Sequence, residues 1–129
     1  MCLSGTVLPE VTWMNWDGLI CFLGTADLQK THEFYSETLG LKLHKDQGAC
    51  RIYEIRPGAY VGFCVHHPVK SGPGTLITLL AADVDEVFSS FTRAGVDIET
   101  QPALNHEFGI YHFYAHDPNG YRLEVQRFV

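Results

Sequence analysis

The chain has 129 residues, one domain's worth of sequence, and its 46% hydrophobic and 19% charged residues make an ordinary globular balance. A net charge of −6 with no run of Lys and Arg excludes nucleic acid and anionic membrane surfaces as expected partners. The apolar runs are strand-length, so no transmembrane span is expected, and the opening MCLSGTVLPEV lacks the basic and apolar regions of a secretory signal. The four cysteines, Cys2, Cys21, Cys50 and Cys64, show neither CxxC spacing nor framework density. They read as reduced thiols in a cytoplasmic protein.

Residues 1–17 have weak periodicity and read as an arm. Trp13 and Trp16 carry too much apolar area to stay wet, so the arm is expected to pack on the domain or on a second subunit. Leu19–Gly24 reads as a buried strand. Asp27 then caps a helix whose stripe is Leu28, Phe34, Tyr35 and Leu39, and Gly40 ends it. Leu41–Asp46 and Cys50–Arg56 alternate as strands. Pro57-Gly58 turns the chain into a further strand, Tyr60–Val65. Segment 66–74, HHPVKSGPG, reads as the linker. Beyond it Leu76–Ala81 is an apolar strand. Asp83 caps a second helix with Val84, Val87, Phe88, Phe91 and Ala94 as its stripe, and Gly95 stops it. A strand over Val96–Thr100, a loop over Pro102–His106 and a strand over Gly109–His116 follow. Asp117-Pro118-Asn119-Gly120 is a tight turn into the last strand, where Leu123 and Val125 face one way and Arg122, Glu124 and Gln126 the other.

This is an internal repeat. Ala26-Asp27-Leu28 matches Ala82-Asp83-Val84, and Gly40-Leu41 matches Gly95-Val96. Each half reads β-α-β-β-β, with one sheet face under a helix and one face bare. The bare faces are expected to curve toward each other, or toward those of a second chain, around a cleft.

These motifs, followed by Asp117-Pro118-Asn119-Gly120-Tyr121 and Glu124, resemble the vicinal oxygen chelate superfamily. That family joins glyoxalase I, extradiol dioxygenases, fosfomycin-resistance transferases and bleomycin-resistance proteins. The resemblance spans residues 19–128. It implies an α+β fold of two tandem βαβββ modules, about 18–66 and 75–128, forming a curved mixed sheet with a cup-shaped cleft. Residues 18–128 would then be a single domain after the arm, in a homodimer. The family's metal members place four ligands on four strands, and the resemblance puts those positions at Ile20, near Gly62, at Leu76 and at Glu124. Only Glu124 can bind a metal, so the usual divalent ion is expected to be missing and no cofactor is expected.

Glu124 is the first site candidate, on the bare face by alternation. If the turn before it is a five-residue loop, Tyr114 lies opposite Glu124 with His112 and His116 beside it. Glu124, Tyr114 and His112 are the candidate acid–base residues. His112, His116 and Glu124 form an alternative, unusual metal set. Ile20, Phe22, Gly62, Cys64, Leu76 and Thr78 are expected to line the cup with them, a largely apolar pocket with a polar end. On the third strand either Arg51 and Tyr53 or Ile52 and Glu54 face the cup; periodicity does not choose. His66 and His67 read as a loop or strand-end feature. The expected function is binding of a small organic molecule without the family's metal. The alternative is a lyase, isomerase or dioxygenase-like enzyme using Glu124 with Tyr114 or His112.

Overall fold

The computed structural model describes residues 14–129, so Trp13 and most of the arm lie outside the described residues. The first half runs β1 (Leu19–Gly24), α1 (Leu28–His32), β2 (Lys42–Asp46), β3 (Cys50–Arg56) and β4 (Ala59–Cys64). Its sheet has the order β1-β4-β3-β2, with β1 parallel to β4. The second half runs β5 (Leu76–Leu80), α2 (Val84–Ala94), β6 (Asp97–Ile98), β7 (Ala103–Asn105), β8 (Ile110–His116) and β9 (Arg122–Phe128). It repeats the order as β5-β9-β8-β6, with β5 parallel to β9. The fold is therefore the expected pair of βαβββ modules, each with its own mixed sheet. The segment expected to be a loop over 102–106 contains β7, which adds to β8 beside β6.

Local chemistry sets the helix ends. Asp27 Oδ1 accepts from the Lys30 amide at 3.0 Å, and Asp83 Oδ1 accepts from the Glu86 amide at 3.0 Å. Gly40 and Gly95 end the two helices at φ of +73° and +74°, where a side chain would be strained. The first helix departs from expectation after His32. Residues Glu33–Thr38 continue as a π-helix, and the Leu39 amide reaches Phe34 O at 2.8 Å. The wider turn lets the adjacent Phe34 and Tyr35 both enter the core.

The helix faces of both sheets share one apolar layer. Phe34, Tyr35, Tyr53, Val61 and Phe63 of the first module pack with Tyr121 and Leu123 of the second. Val84, Phe91, Phe113, Ala115 and Val125 form the second cluster, with Phe88 and Phe91 edge-on to Phe113. Leu39 and Val96 touch both clusters.

The turn before β9 joins the modules. Asp117 accepts from the Tyr35 hydroxyl at 2.7 Å and from the amides of Asn119 and Tyr121 at 2.8 and 2.9 Å. Asn119 Oδ1 accepts from the Thr25 hydroxyl at 2.7 Å, and the Tyr121 hydroxyl donates to Gly24 O at 2.8 Å. Burial pushes the Asp117 carboxyl up, against the pull of those donors, and burial beside Asp117 pushes the Tyr35 hydroxyl well up.

Cys50 and Cys64 stand directly opposite on β3 and β4 and form a disulfide. The expectation of reduced thiols fails for this pair, while Cys21 is free and exposed. Their separation of 14 residues carries no sequence signal; the β3–β4 register is what brings them together. Among the described residues no helix is long and apolar enough to cross a membrane.

Candidate functional site

Glu124 projects from the face of β9 opposite Leu123, away from the helices, and is only 6% exposed. Register brings Tyr114 of β8 directly opposite it and Thr78 of β5 beside it. Both carboxylate oxygens are used. Thr78 Oγ1 donates to Oε1 at 2.9 Å, and His112 Nδ1 lies 2.6 Å from Oε2. With Glu124 ionised, the proton of that second bond sits on Nδ1 and leaves the lone pair on Nε2. Glu124 is thus a fixed, buried acceptor that orients a histidine, not a solvated strand residue paired with Arg122.

Arg122 is engaged elsewhere. Its guanidinium grips Glu99 by two bonds of 2.6 and 3.0 Å, which holds the Glu99 carboxyl below its usual range. The same guanidinium lies 3.6 Å from the centre of the Tyr114 ring. Burial, then the Glu124 charge, raises the Tyr114 hydroxyl above its ordinary value. Tyr114 is also edge-on to His112, with ring centres 5.0 Å apart.

Around this cluster lies a cavity of about 420 Å³. Phe108, Ile110, Tyr114 and Phe128 supply apolar walls, and Asn105, His112, Glu124 and Gln126 supply polar atoms. Expectation named His112, Tyr114 and Glu124 of these. Ile110, Gln126 and Phe128 were missed, although alternation along β8 and β9 leads to them. Asn105, at the end of β7, and Phe108, from the connection between β7 and β8, carry no such signal; the Asn105 side chain accepts from the Phe108 amide at 3.2 Å.

The remaining expected lining residues sit on the same faces but outside this cavity. Leu76 flanks Thr78 at the open edge strand β5. Ile20, Phe22, Gly62 and Cys64 lie on the sheet of the first module, together with Ile52 and Glu54. That answers the open question for β3, since Tyr53 is in the core and bonded to His32 at 2.9 Å. The Phe22 ring lies against Gly62, 2.6 Å from where a Cβ would stand, and the Cys64 sulfur is taken up by Cys50.

The metal positions implied by the resemblance can be checked against this geometry. Ile20, Gly62 and Leu76 offer no side-chain donor, Phe22 fills the space at Gly62, and Glu124 is already bonded twice. These residues do not fit a divalent ion. Nor is the alternative set brought together. His116, four residues along β8 from His112, points its nitrogens at Asp97 and Glu99, 3.6 and 3.4 Å away.

A larger apolar groove of about 660 Å³ runs between the edge strands β1 and β5, lined by Leu19, Cys21, Leu23, Val61, Ile77 and Leu79 among others. Leu76 and Thr78, both expected to line the cup, border it as well, so the Thr78 that donates to Glu124 stands between this groove and the cavity.

Known proteins resemble the chain in sequence pattern and in fold. The family model described as Glyoxalase/Bleomycin resistance protein/Dioxygenase superfamily matches residues 19–125. No curated protein sequence is a match. A glyoxalase/bleomycin resistance protein/dioxygenase from Nocardioides superposes with a TM-score of 0.72 at 19% identity, over 92% of this chain and 87% of that one. A lactoylglutathione lyase from Agrobacterium tumefaciens superposes with a TM-score of 0.70 at 20% identity, over 92% and 95%. A glyoxalase/bleomycin resistance protein/dioxygenase from Alicyclobacillus acidocaldarius gives 0.69 at 17%, over 87% and 91%. At these identities the likeness is one of fold.

Proposed function

The chain belongs to the glyoxalase/bleomycin resistance protein/dioxygenase superfamily, and from that membership and the cavity at Glu124 we propose that it binds a small, partly aromatic organic molecule without the family's divalent metal. The observation that carries this reading is the composition of the cavity. Its volume of about 420 Å³ suits a small ligand, its walls are aromatic and aliphatic, and its polar atoms gather around one ordered carboxylate. The missing donors at Ile20, Gly62 and Leu76 support a metal-free site. A calorimetric screen of small aromatic and amphipathic compounds tests it. Binding is expected in the wild type and in Glu124→Gln, and is expected to be lost in Gln126→Trp, which fills the cavity. Binding that survives Gln126→Trp would place the ligand elsewhere.

The 2.6 Å contact between His112 and Glu124 favours a second reading, proton-transfer catalysis. The carboxylate holds His112 in the tautomer that leaves Nε2 basic, with Tyr114 beside it as a donor. Under this reading Glu124→Gln removes turnover while leaving ligand affinity in place.

We also infer a homodimer. Among the described residues β1 and β5 are edge strands paired on one side only, and Leu19, Ile20, Phe22, Leu76 and Leu80 on them are exposed, Leu19 and Leu80 by 65%. Trp16 is 81% exposed on the single chain. A second copy that covers these edges would bury most of that surface. Light scattering at micromolar concentration is expected to give twice the chain mass of 14.5 kDa. A monomer mass would refute it.

A further inference from the structure

The first module carries chemistry of its own, away from the cavity at Glu124. Cys50 and Cys64 face each other across β3 and β4, on the sheet face that also bears Ile52 and Gly62. His66, two residues beyond Cys64, returns to that face with Nδ1 3.9 Å from Cys50 Sγ. The two sulfurs and the imidazole nitrogen all lie within 4.8 Å of one another. No other three His, Cys, Asp or Glu residues among the described residues are gathered this closely in a metal-holding arrangement. Both cysteines are buried while His66 is exposed, so the histidine closes the solvent side of the pair.

The backbone that presents His66 is fixed. The Val65 amide donates to Ala49 O at 2.9 Å, and the Thr25 amide to Cys64 O at 3.0 Å. The next two residues cross Gly24 so closely that a Cβ there would stand 2.2 Å from Pro68 O and 2.5 Å from His67 O. The His67 ring lies 4.3 Å from that of His66.

The repeat shows how the two modules differ here. Strand pairing equates Gly62 with Glu124, both being the β4 or β9 residue beside the first strand's Phe22 or Thr78. The same registers equate Ile52 with Tyr114, Cys50 with His112 and Cys64 with Gln126. Where the second module has its polar cluster, the first has an apolar layer of Ile52, Gly62 and Phe22, with the thiol pair one step further along the strands.

We propose that the reduced chain holds a zinc-type divalent cation through Cys50, Cys64 and His66, and that the disulfide is the form that releases it. Two thiolates and an imidazole are a soft donor set, which suits zinc and not the oxygen-seeking magnesium or calcium. Around such an ion two thiolates stand about 3.7 Å apart, a separation that reduction of the disulfide allows. The steps balance. A dithiol reductant gives two electrons and two protons to the disulfide, making two thiols, and leaves as its own disulfide. Cation binding then displaces both thiol protons to solvent. A disulfide oxidant reverses the sequence and expels the ion. A reducing compartment would therefore load the site.

The test uses the full chain with Cys2→Ser and Cys21→Ser, so that the pair supplies the only thiols. It is reduced with a phosphine without oxygen and titrated with cobalt(II) as the probe. One cobalt per chain is expected, with thiolate-to-cobalt charge-transfer absorption and the strong visible bands of a tetrahedral ion, all lost on adding zinc. The oxidised chain should show none of these. His66→Ala, which leaves the disulfide and the fold in place, should weaken cobalt binding on the order of tenfold or more. Glu124→Gln should leave it unchanged, because the second module's cavity is separate. A reduced chain without charge-transfer absorption would overturn the proposal, and so would cobalt binding indifferent to His66→Ala. Loss of binding in Glu124→Gln would equally overturn it, by moving the ion to the other site.

Discussion

Leu123 and Glu124 are neighbours in sequence with opposite environments. Leu123 is fully buried against the aromatic cluster of the first module, and Glu124 is held by Thr78 and His112 on the other face. Leu123→Asp would put an unpaired carboxylate under the helices, at a cost of several kcal/mol. That is a large part of the about 5–15 kcal/mol that holds a domain folded, so this variant is expected to be unfolded at room temperature. Glu124→Gln keeps an oxygen for Thr78 and a group of the same shape, and is expected to fold with a melting temperature near that of the wild type. Thermal melts of the two variants decide it; equal melting temperatures would mean that the faces of β9 are reversed. At this scale the sequence is informative wherever a side chain's role follows from strict alternation. Glu124, Tyr114 and His112 could be placed because one loop length fixes the β8–β9 register. The Cys50–Cys64 pair could not, because it depends on a register set by the Pro57-Gly58 turn and by an irregularity near Arg56. Arg122 was equally hidden: its partner Glu99 lies just past β6, on a segment whose pairing the sequence does not show.

At the scale of elements, caps and glycines mark the boundaries well, since Asp27, Asp83, Gly40 and Gly95 act through their own backbone neighbours. Elements defined by tertiary contact are not marked. The π-helical turn at Glu33–Thr38 answers the need to bury two adjacent aromatics, and β7 exists only because β8 offers it an edge. Gly24 belongs to this second kind. It lies at the end of β1 at an ordinary φ, and nothing nearby in sequence explains it. The explanation is the connection at residues 67–68, whose carbonyl oxygens occupy the space a Cβ would need. Gly24→Ala must therefore move backbone, and is expected to cost about 1–3 kcal/mol. Gly62→Ala is crowded by the Phe22 ring, which can rotate into solvent, and meets Ile52 only at an ordinary 3.5 Å, so its cost should be smaller. Denaturant midpoints of the two variants give the comparison. A Gly24→Ala midpoint equal to the wild type would show that the 67–68 segment does not rest on β1.

At the scale of the whole molecule, the question is what makes two similar modules one body. The apolar layer is part of the answer, and the turn at Asp117–Gly120 is the directional part. Read from sequence it is a local turn; in the fold it plugs polar groups into the β1–α1 elbow of the other module, through Tyr35, Thr25 and Gly24. The Tyr35–Asp117 bond gives this joint a pH dependence with a definite sign. Burial and the Asp117 charge hold the Tyr35 hydroxyl well above its ordinary 10.0, so the folded chain keeps a proton that the unfolded chain loses. Above pH 10 the unfolded state binds fewer protons than the folded state from which they would come. Stability therefore falls as pH rises, by up to about 1.4 kcal/mol per pH unit for this group, and its contribution is complete below pH 10. Tyr35→Phe should cost about 1.5–3 kcal/mol near neutral pH, because the buried Asp117 loses a donor. It also removes the titrating group, so its stability should decline less steeply in alkali. Urea unfolding of both proteins at pH 8 and at pH 11 is expected to show a gap at the lower pH that narrows at the higher. A gap of constant size would mean that Tyr35 titrates alike folded and unfolded, and that its hydroxyl is not the buried link between the modules.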